Sequence, residues 1–322
     1  MRLGRFKVVT SESQAKSLSA KQASLVAVFA ALSVAVIILL PGIPMIGLPG
    51  ARITLDAAIA PVYGLVIGPY LGALAALLGG IIVAGYKGWP VFAILTSFCP
   101  AVSAFVAGML SRKRVSIMSH STKGWILAAL TVFVLILSWY MTWVGQQAPL
   151  YPIIHWAGLV VIVVFRGKIS TFMEEGGGKR ASSARGFLIW RFYRCLILMF
   201  LNLILKFLNL ILKFLKLPLV KLPSARAARG RLSLAVFLSS YCGLIADHML
   251  GNIIFIVGLG LFIPTLAVDS ILHSMGLPSI PALFMFMLPI SGAERLLMAV
   301  IAMIFGAGLI TVLRSSRLTR NQ

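Results

Sequence analysis

Eight apolar runs, at 24–40, 53–67, 69–85, 91–111, 124–144, 150–165, 232–262 and 289–313, are set apart by blocks of basic residues. A helix that crosses a bilayer needs roughly 20 apolar residues, and fewer where it is supported inside a bundle. With 60% of 322 residues hydrophobic and 11% charged, the chain cannot enclose its apolar surface as a soluble enzyme does. The formal charge of +22 would suit a nucleic-acid binder in a soluble chain. Such a surface interleaves its cations with aromatics on one folded face. Here they fall between the runs: five in 2–21, four in 112–123, fourteen in 166–231, and four from Arg295 onward, with Arg52 and Lys87 standing alone. That is the pattern of the positive-inside rule, so a multi-pass membrane protein is expected and nucleic acid is excluded as a partner.

Parity tests the topology. With eight crossings the N-terminus, the Arg112-Lys113-Arg114 loop, the 166–231 segment and the C-terminal arginines all fall on one side, predicted to be cytoplasmic. The opposite side keeps Arg52 and Lys87, plus Lys- and Arg-free loops at 145–152 and 263–288. The short run 150–165 must cross, or fourteen cations would face outward. The first run is longer than a signal-peptide core and has no small-x-small cleavage site after it, so it reads as a retained helix. Gly68-Pro69 divides the second run from the third, which predicts two short spans joined by a tight turn.

Between the sixth and seventh runs the chain becomes Gly-rich and basic, then repeats FLNLILK at 200–206 and 207–213. Asn202, Lys206, Asn209, Lys213 and Lys216 fall on one helical stripe in an otherwise Leu, Ile and Phe segment. A helix lying in the cytoplasmic interface of the membrane, lysines at the headgroups, is the physical reading. The expected segments are a basic N-terminus 1–23, a transmembrane half 24–111, an additional hairpin 112–165, a basic insertion 166–231, closing helices 232–313, and a tail 314–322.

No GxxxxGK[ST], HExxH or GxSxG motif is present, so no catalytic residue is assigned and an enzyme is not expected. Cys99, Cys195 and Cys242 are far apart and read as packing residues, and no metal ligand set is seen. Glu174-Glu175 reads as solvated loop charge. The informative groups are the few ionisable or polar ones within the runs or at their edges: Arg52 with Asp56, Asp247 and His248 with Asn252, and Glu294 with Arg295. Two roles are open to such residues. They pair with one another, Asp56 with Arg52 and Glu294 or Asp247 with Arg295, or they face a ligand.

Tyr63, Trp89, Trp139, Trp143 and Trp156 stand at span ends, where aromatics anchor helices in the interface. Trp89, in the turn Tyr86-Lys87-Gly88-Trp89-Pro90, has the further option of capping a pocket. His155 and His273 are isolated and are expected to make ordinary polar contacts. Ala27, Ala31 and Ala35 recur every four residues on the first run, a smooth stripe suited to helix contact inside this chain or with another membrane protein.

From Ala30 to Gly85 the chain reads AALSVAVIILLPGIPMIGLPGARITLDAAIAPVYGLVIGPYLGALAALLGGIIVAG, and it later reads LPISGAERLLMAVIAMIFGAGLITVLR. The alanine-stepped first helix, the Pro/Gly-rich loop, the short second helix and the GLxxGPxxGAL turn resemble the S components of energy-coupling factor (ECF) transporters. About half of the chain takes part in the resemblance. It implies an all-α, polytopic transmembrane helix bundle with a six-helix core, here carrying about two extra helices and the interfacial amphipathic helix. It implies a prokaryotic cell-membrane protein, both termini cytoplasmic, that captures a vitamin or similar micronutrient. Its partners would be a transmembrane coupling subunit and two cytoplasmic ATPases that carry the ATP, with no cofactor in this chain.

Carried over by position, Ala27, Ala31 and Ala35 would dock the coupling subunit, and Arg52, Asp56, Asn252 and Glu294 would approach the substrate. With Trp89, Asp247 and Arg295 from the reading of the runs, these are the expected binding residues. The competing expectation is a self-sufficient secondary transporter whose intramembrane acids carry protons or sodium, although no inverted repeat is evident. An intramembrane enzyme lacks a catalytic constellation.

Overall fold

The computed structural model describes residues 19–40, 43–44, 52–53, 55–117, 120–175 and 227–315. Helix α1 (Ala20–Leu39) leads through a small hairpin, β1 (Ile43–Pro44) and β2 (Arg52–Ile53), into α2 (Asp56–Ile67) and α3 (Pro69–Tyr86). Then come α4 (Val91–Thr96) and α5 (Phe98–Ser111), a second hairpin of β3 (Arg114–Ile117) and β4 (His120–Lys123), and α6 (Gly124–Tyr140). The short α7 (Trp143–Gln147) precedes α8 (Ile153–Phe165) and α9 (Lys168–Glu175). The chain closes with α10 (Ala227–Gly258), α11 (Thr265–Ser274) and α12 (Ile280–Ser315). The FLNLILK repeat and its expected interfacial helix lie outside the described residues.

Among the described residues, five helical segments are long and apolar enough to cross a membrane: α1, α3, the α4–α5 pair, α10 and α12. A sixth arises if α8 and α9, bent by 68° at their junction, count as one span, while α2 and α6 are apolar but shorter. The 150–165 run therefore forms a 13-residue helix that turns sharply at Arg166, whose φ of 38° breaks the helical path. Large apolar side chains cover the outside of the bundle too, Val28 on α1, Val160 on α8 and Phe305 on α12 among them. An apolar exterior of this extent suits lipid rather than water, and the chain forms a membrane-embedded helical bundle.

Helix α5 is the central strut, packed against α2, α3, α6 and α10. Glycines let it approach so closely. A Cβ on Gly64 of α2 would run into the carbonyl oxygen of Ala104, and one on Gly108 would stand 2.6 Å from Pro69 Cα. Gly68 has φ of 95°, a conformation open to glycine, and Pro69 starts α3 at the position where its missing N–H costs nothing. The predicted tight turn is therefore present, joining α3 to α2, which is apolar but shorter than a span.

Other expectations are corrected. The Arg112-Lys113-Arg114 loop runs into an antiparallel strand pair, β3 with β4, tied to α3 by Tyr70 Oη donating to Ser116 O at 3.1 Å. Glu174 is no free loop charge: it sits in α9 and pairs with Lys113. The 263–288 segment is mostly helical, because α12 runs through Pro289 from Ile280. In an apolar medium a helix that continues past proline loses one hydrogen bond, whereas a loop would strand many more. Tyr63 and Trp139 are not interfacial anchors. Both are fully buried, with Tyr63 Oη donating to Ser33 Oγ at 3.4 Å. Trp89, Trp143 and Trp156 do face outward.

Candidate ligand cavity

A cavity of about 630 Å³ opens within one end of the bundle, where α1 stops, α2 starts and α3 turns into α4. Its walls come from α1, α2, α3, the α4–α5 pair, α10 and α12, and from one residue of the α6–α8 connection, Tyr151. The volume is in the range of small-molecule pockets.

Four of the expected binding residues meet there: Asp56, Asp247, Asn252 and Arg295. Asp56 is the first residue of α2, where a carboxylate is favoured by the helix dipole. Asp247 and Asn252 lie on α10, with His248 and Phe255 on the same wall. Arg295 stands one turn from Ser291 on α12, and both face the cavity. The remaining three are placed elsewhere. Arg52 pairs with Pro44 across the β1–β2 hairpin, and its side chain lies outside the described part. Trp89 is 58% exposed, with its ring over Gly85, and caps nothing in the cavity wall. Glu294 is buried but absent from the wall, being turned about 100° from Arg295 by the helix pitch. Neither of its carboxylate oxygens has a hydrogen-bond partner.

The expected neutralising pairs involving Arg295 do not form. Neither Asp247 nor Glu294 is in ion-pair contact with it, and each of the three is more than nine-tenths buried. The polar face of the cavity is built around Tyr151 instead. Asn252 Nδ2 donates to Tyr151 Oη at 2.9 Å, and the same hydroxyl lies 3.3 Å from His248 Nε2. Tyr151 stacks on Trp139 with centroids 4.6 Å apart, and Phe284 stands edge-on to both at 5.1 Å. His155, expected to make an ordinary polar contact, makes no hydrogen bond through either ring nitrogen and stacks on His248.

Sequence reasoning missed Tyr151, Thr96, Ser97 and Ser291, and it assigned Cys99 to packing although that thiol faces the cavity. Ser291 was detectable, one turn before Arg295. Tyr151 was not, because the connection that carries it folds back into the bundle and buries Val144, Ala148 and Tyr151.

The alanine stripe also has a defined place. The inward face of α1 is Val26, Phe29, Ala30, Ser33 and Val36, while Ala27 and Ala31 are exposed and Ala35 is half-buried. Packing against the described residues does not account for Ala27 or Ala31.

Comparison with protein-family models, curated proteins and solved structures finds no match for the chain.

Proposed function

We propose that the chain is the substrate-capturing integral membrane subunit of an ATP-driven importer of the ECF type, taking up a vitamin or related small micronutrient. The observation that carries this reading is the convergence of Asp56, Asp247, Asn252 and Arg295 on one cavity walled by six helical segments. We read those six, α1, α2, α3, α4–α5, α10 and α12, as the six-helix core, with α6–α8 as the added hairpin. The exposed Ala27 and Ala31 on α1 suit close approach of a coupling subunit. The charge rule puts the cavity end outward, since the basic hairpin Arg114–Lys123 stands at the other end of α5, and both termini would then be cytoplasmic in the cell membrane. ATP would be held by the partner ATPases, and this chain would bind, not catalyse.

Glu294 favours a second reading, a self-sufficient ion-coupled transporter, because a buried carboxylate with neither oxygen hydrogen-bonded is a common device for carrying a proton or sodium ion. Affinity purification from native membranes in mild detergent, with mass spectrometry of the co-purifying proteins, separates the two. A second polytopic protein with two P-loop ATPases supports the importer subunit. Recovery of the chain alone, under conditions that keep known membrane complexes intact, favours the second reading.

A further inference from the structure

Asp247 and Arg295 sit on α10 and α12, two helices packed against one another, and both side chains reach the same cavity. They are 8% and 9% exposed, neither contacts the other, and neither forms an ion pair with any described residue. Arg295 Nε has no hydrogen-bond partner. Two opposite charges in a low-dielectric bundle gain most by direct contact, and leaving each unpaired is costly. Their placement on one cavity without an ion pair is explained if a third body completes both.

The rest of the wall constrains that body. Asp247 and Arg295 offer one anionic and one cationic group, so a dipolar ligand meets both and a singly charged one meets only one of them. Phe92, Phe255 and Phe284 with Leu283 and Met287 give it flat and apolar sides. The hydrogen-bonded Asn252 and Tyr151 supply polar groups at the edge. We infer that the cavity takes a small zwitterion with an aromatic or apolar body, its carboxylate on Arg295 and its cationic nitrogen on Asp247. This rests on the reading of the cavity as the substrate site and narrows the substrate class.

The test uses the purified full chain in detergent and reads ligand-induced thermal stabilisation. The probes are aromatic α-amino acids and pyridinium carboxylates, their carboxamides and N-acyl or ester derivatives, which keep one charge, and the uncharged parent rings. At least one zwitterion is expected to stabilise the protein saturably, with its singly charged derivatives weaker by about tenfold or more, the effect of losing one charge-assisted contact. Arg295→Gln should erase the preference for the carboxylate over the carboxamide, and Asp247→Asn the preference for the free cationic nitrogen over its acylated form. Each variant removes a buried unpaired charge, so the ligand-free melting temperature is expected to hold or rise, which reports folding independently. Arg295→Lys, keeping the charge, should retain part of the preference. Stabilisation by singly charged or neutral probes at the same concentrations, or by no zwitterion in the set, overturns the inference. Zwitterion binding by a chain that recovers no ATPases overturns the importer reading alone, and recovery of ATPases with binding of singly charged probes overturns this one alone.

Discussion

The imidazoles of His155 and His248 lie face to face, their centroids 5.4 Å apart and their planes inclined by 13°. One ring belongs to α8 and the other to α10, so the stack joins α8 to the wall of the cavity. His248 meets Tyr151 Oη through Nε2, whereas His155 is 1% exposed and leaves both nitrogens without a partner. His155 thus contributes a flat surface and no hydrogen bond. His155→Phe keeps the surface and removes two unsatisfied atoms, so it is expected to leave stability unchanged or raise it by up to about 1–3 kcal/mol. His155→Ala, which opens a void beneath His248, should lower it by about 2–4 kcal/mol. Thermal unfolding of the two purified variants in the same detergent distinguishes these outcomes, and a lower melting temperature for the phenylalanine variant would show that a ring nitrogen is used.

Tyr151 joins the polar and aromatic parts of the cavity. Tyr151→Phe retains the stack on Trp139 and loses the hydroxyl that Asn252 and His248 share. The expected result is a folded protein whose ligand affinity falls by about three- to tenfold, the effect of one hydrogen bond of roughly 1 kcal/mol. Titration of any ligand that stabilises the wild type measures it, and unchanged affinity would take Tyr151 out of the binding surface.

Much of this arrangement was readable from residue types alone, for a physical reason. A charge inside an apolar run is so expensive that its position already implies a cavity or a partner, and Asp56, Asp247 and Arg295 do meet at one. Gly68-Pro69 was readable because few backbone conformations suit that pair. Aromatic residues were not, since Trp139 and Trp143 occupy the same span end while one is fully buried and the other 47% exposed, a difference set by which way the chain turns next. The same turn brings Tyr151 inward. Glu294 and Arg295 are neighbours in sequence but part by the helix pitch, so one faces the cavity and the other does not. The start of α12 was hidden by Pro289, which local rules treat as a helix boundary and an apolar environment does not.

The crossing of α2, α3 and α5 sets a stability prediction independent of function. A Cβ on Gly64 meets the Ala104 carbonyl, and one on Gly108 meets the Pro69 backbone, so neither obstacle is a side chain able to swing away. Gly64→Ala and Gly108→Ala are each expected to destabilise the bundle by at least about 1–3 kcal/mol, the range for overpacking. Gly308, with open space around its added Cβ, serves as the control, and Gly308→Ala should be neutral or slightly stabilising as a helix substitution. Size-exclusion profiles after a heating series would report the order, and equal behaviour of all three variants would remove the close approach as its cause.

The outward stripe on α1 gives the prediction that bears most directly on partnership. Ala31 is exposed beside Ala27, while the helix holds to the bundle through Val26, Phe29, Ala30, Ser33 and Val36. A bulky residue at position 31 points away from the described bundle, and under the importer reading proposed above it would meet a neighbouring helix on docking. Under that reading, Ala31→Trp is expected to leave the melting temperature and ligand binding of the purified chain unchanged, while recovery of the proposed coupling subunit falls by about tenfold or more. Val28, also outward at 64% exposed, is the comparison: Val28→Trp adds bulk on the same helix but off the alanine stripe, and should reduce recovery less. Equal loss from both variants would mean that any bulk on α1 is disruptive, and no loss from either would place the docking face elsewhere.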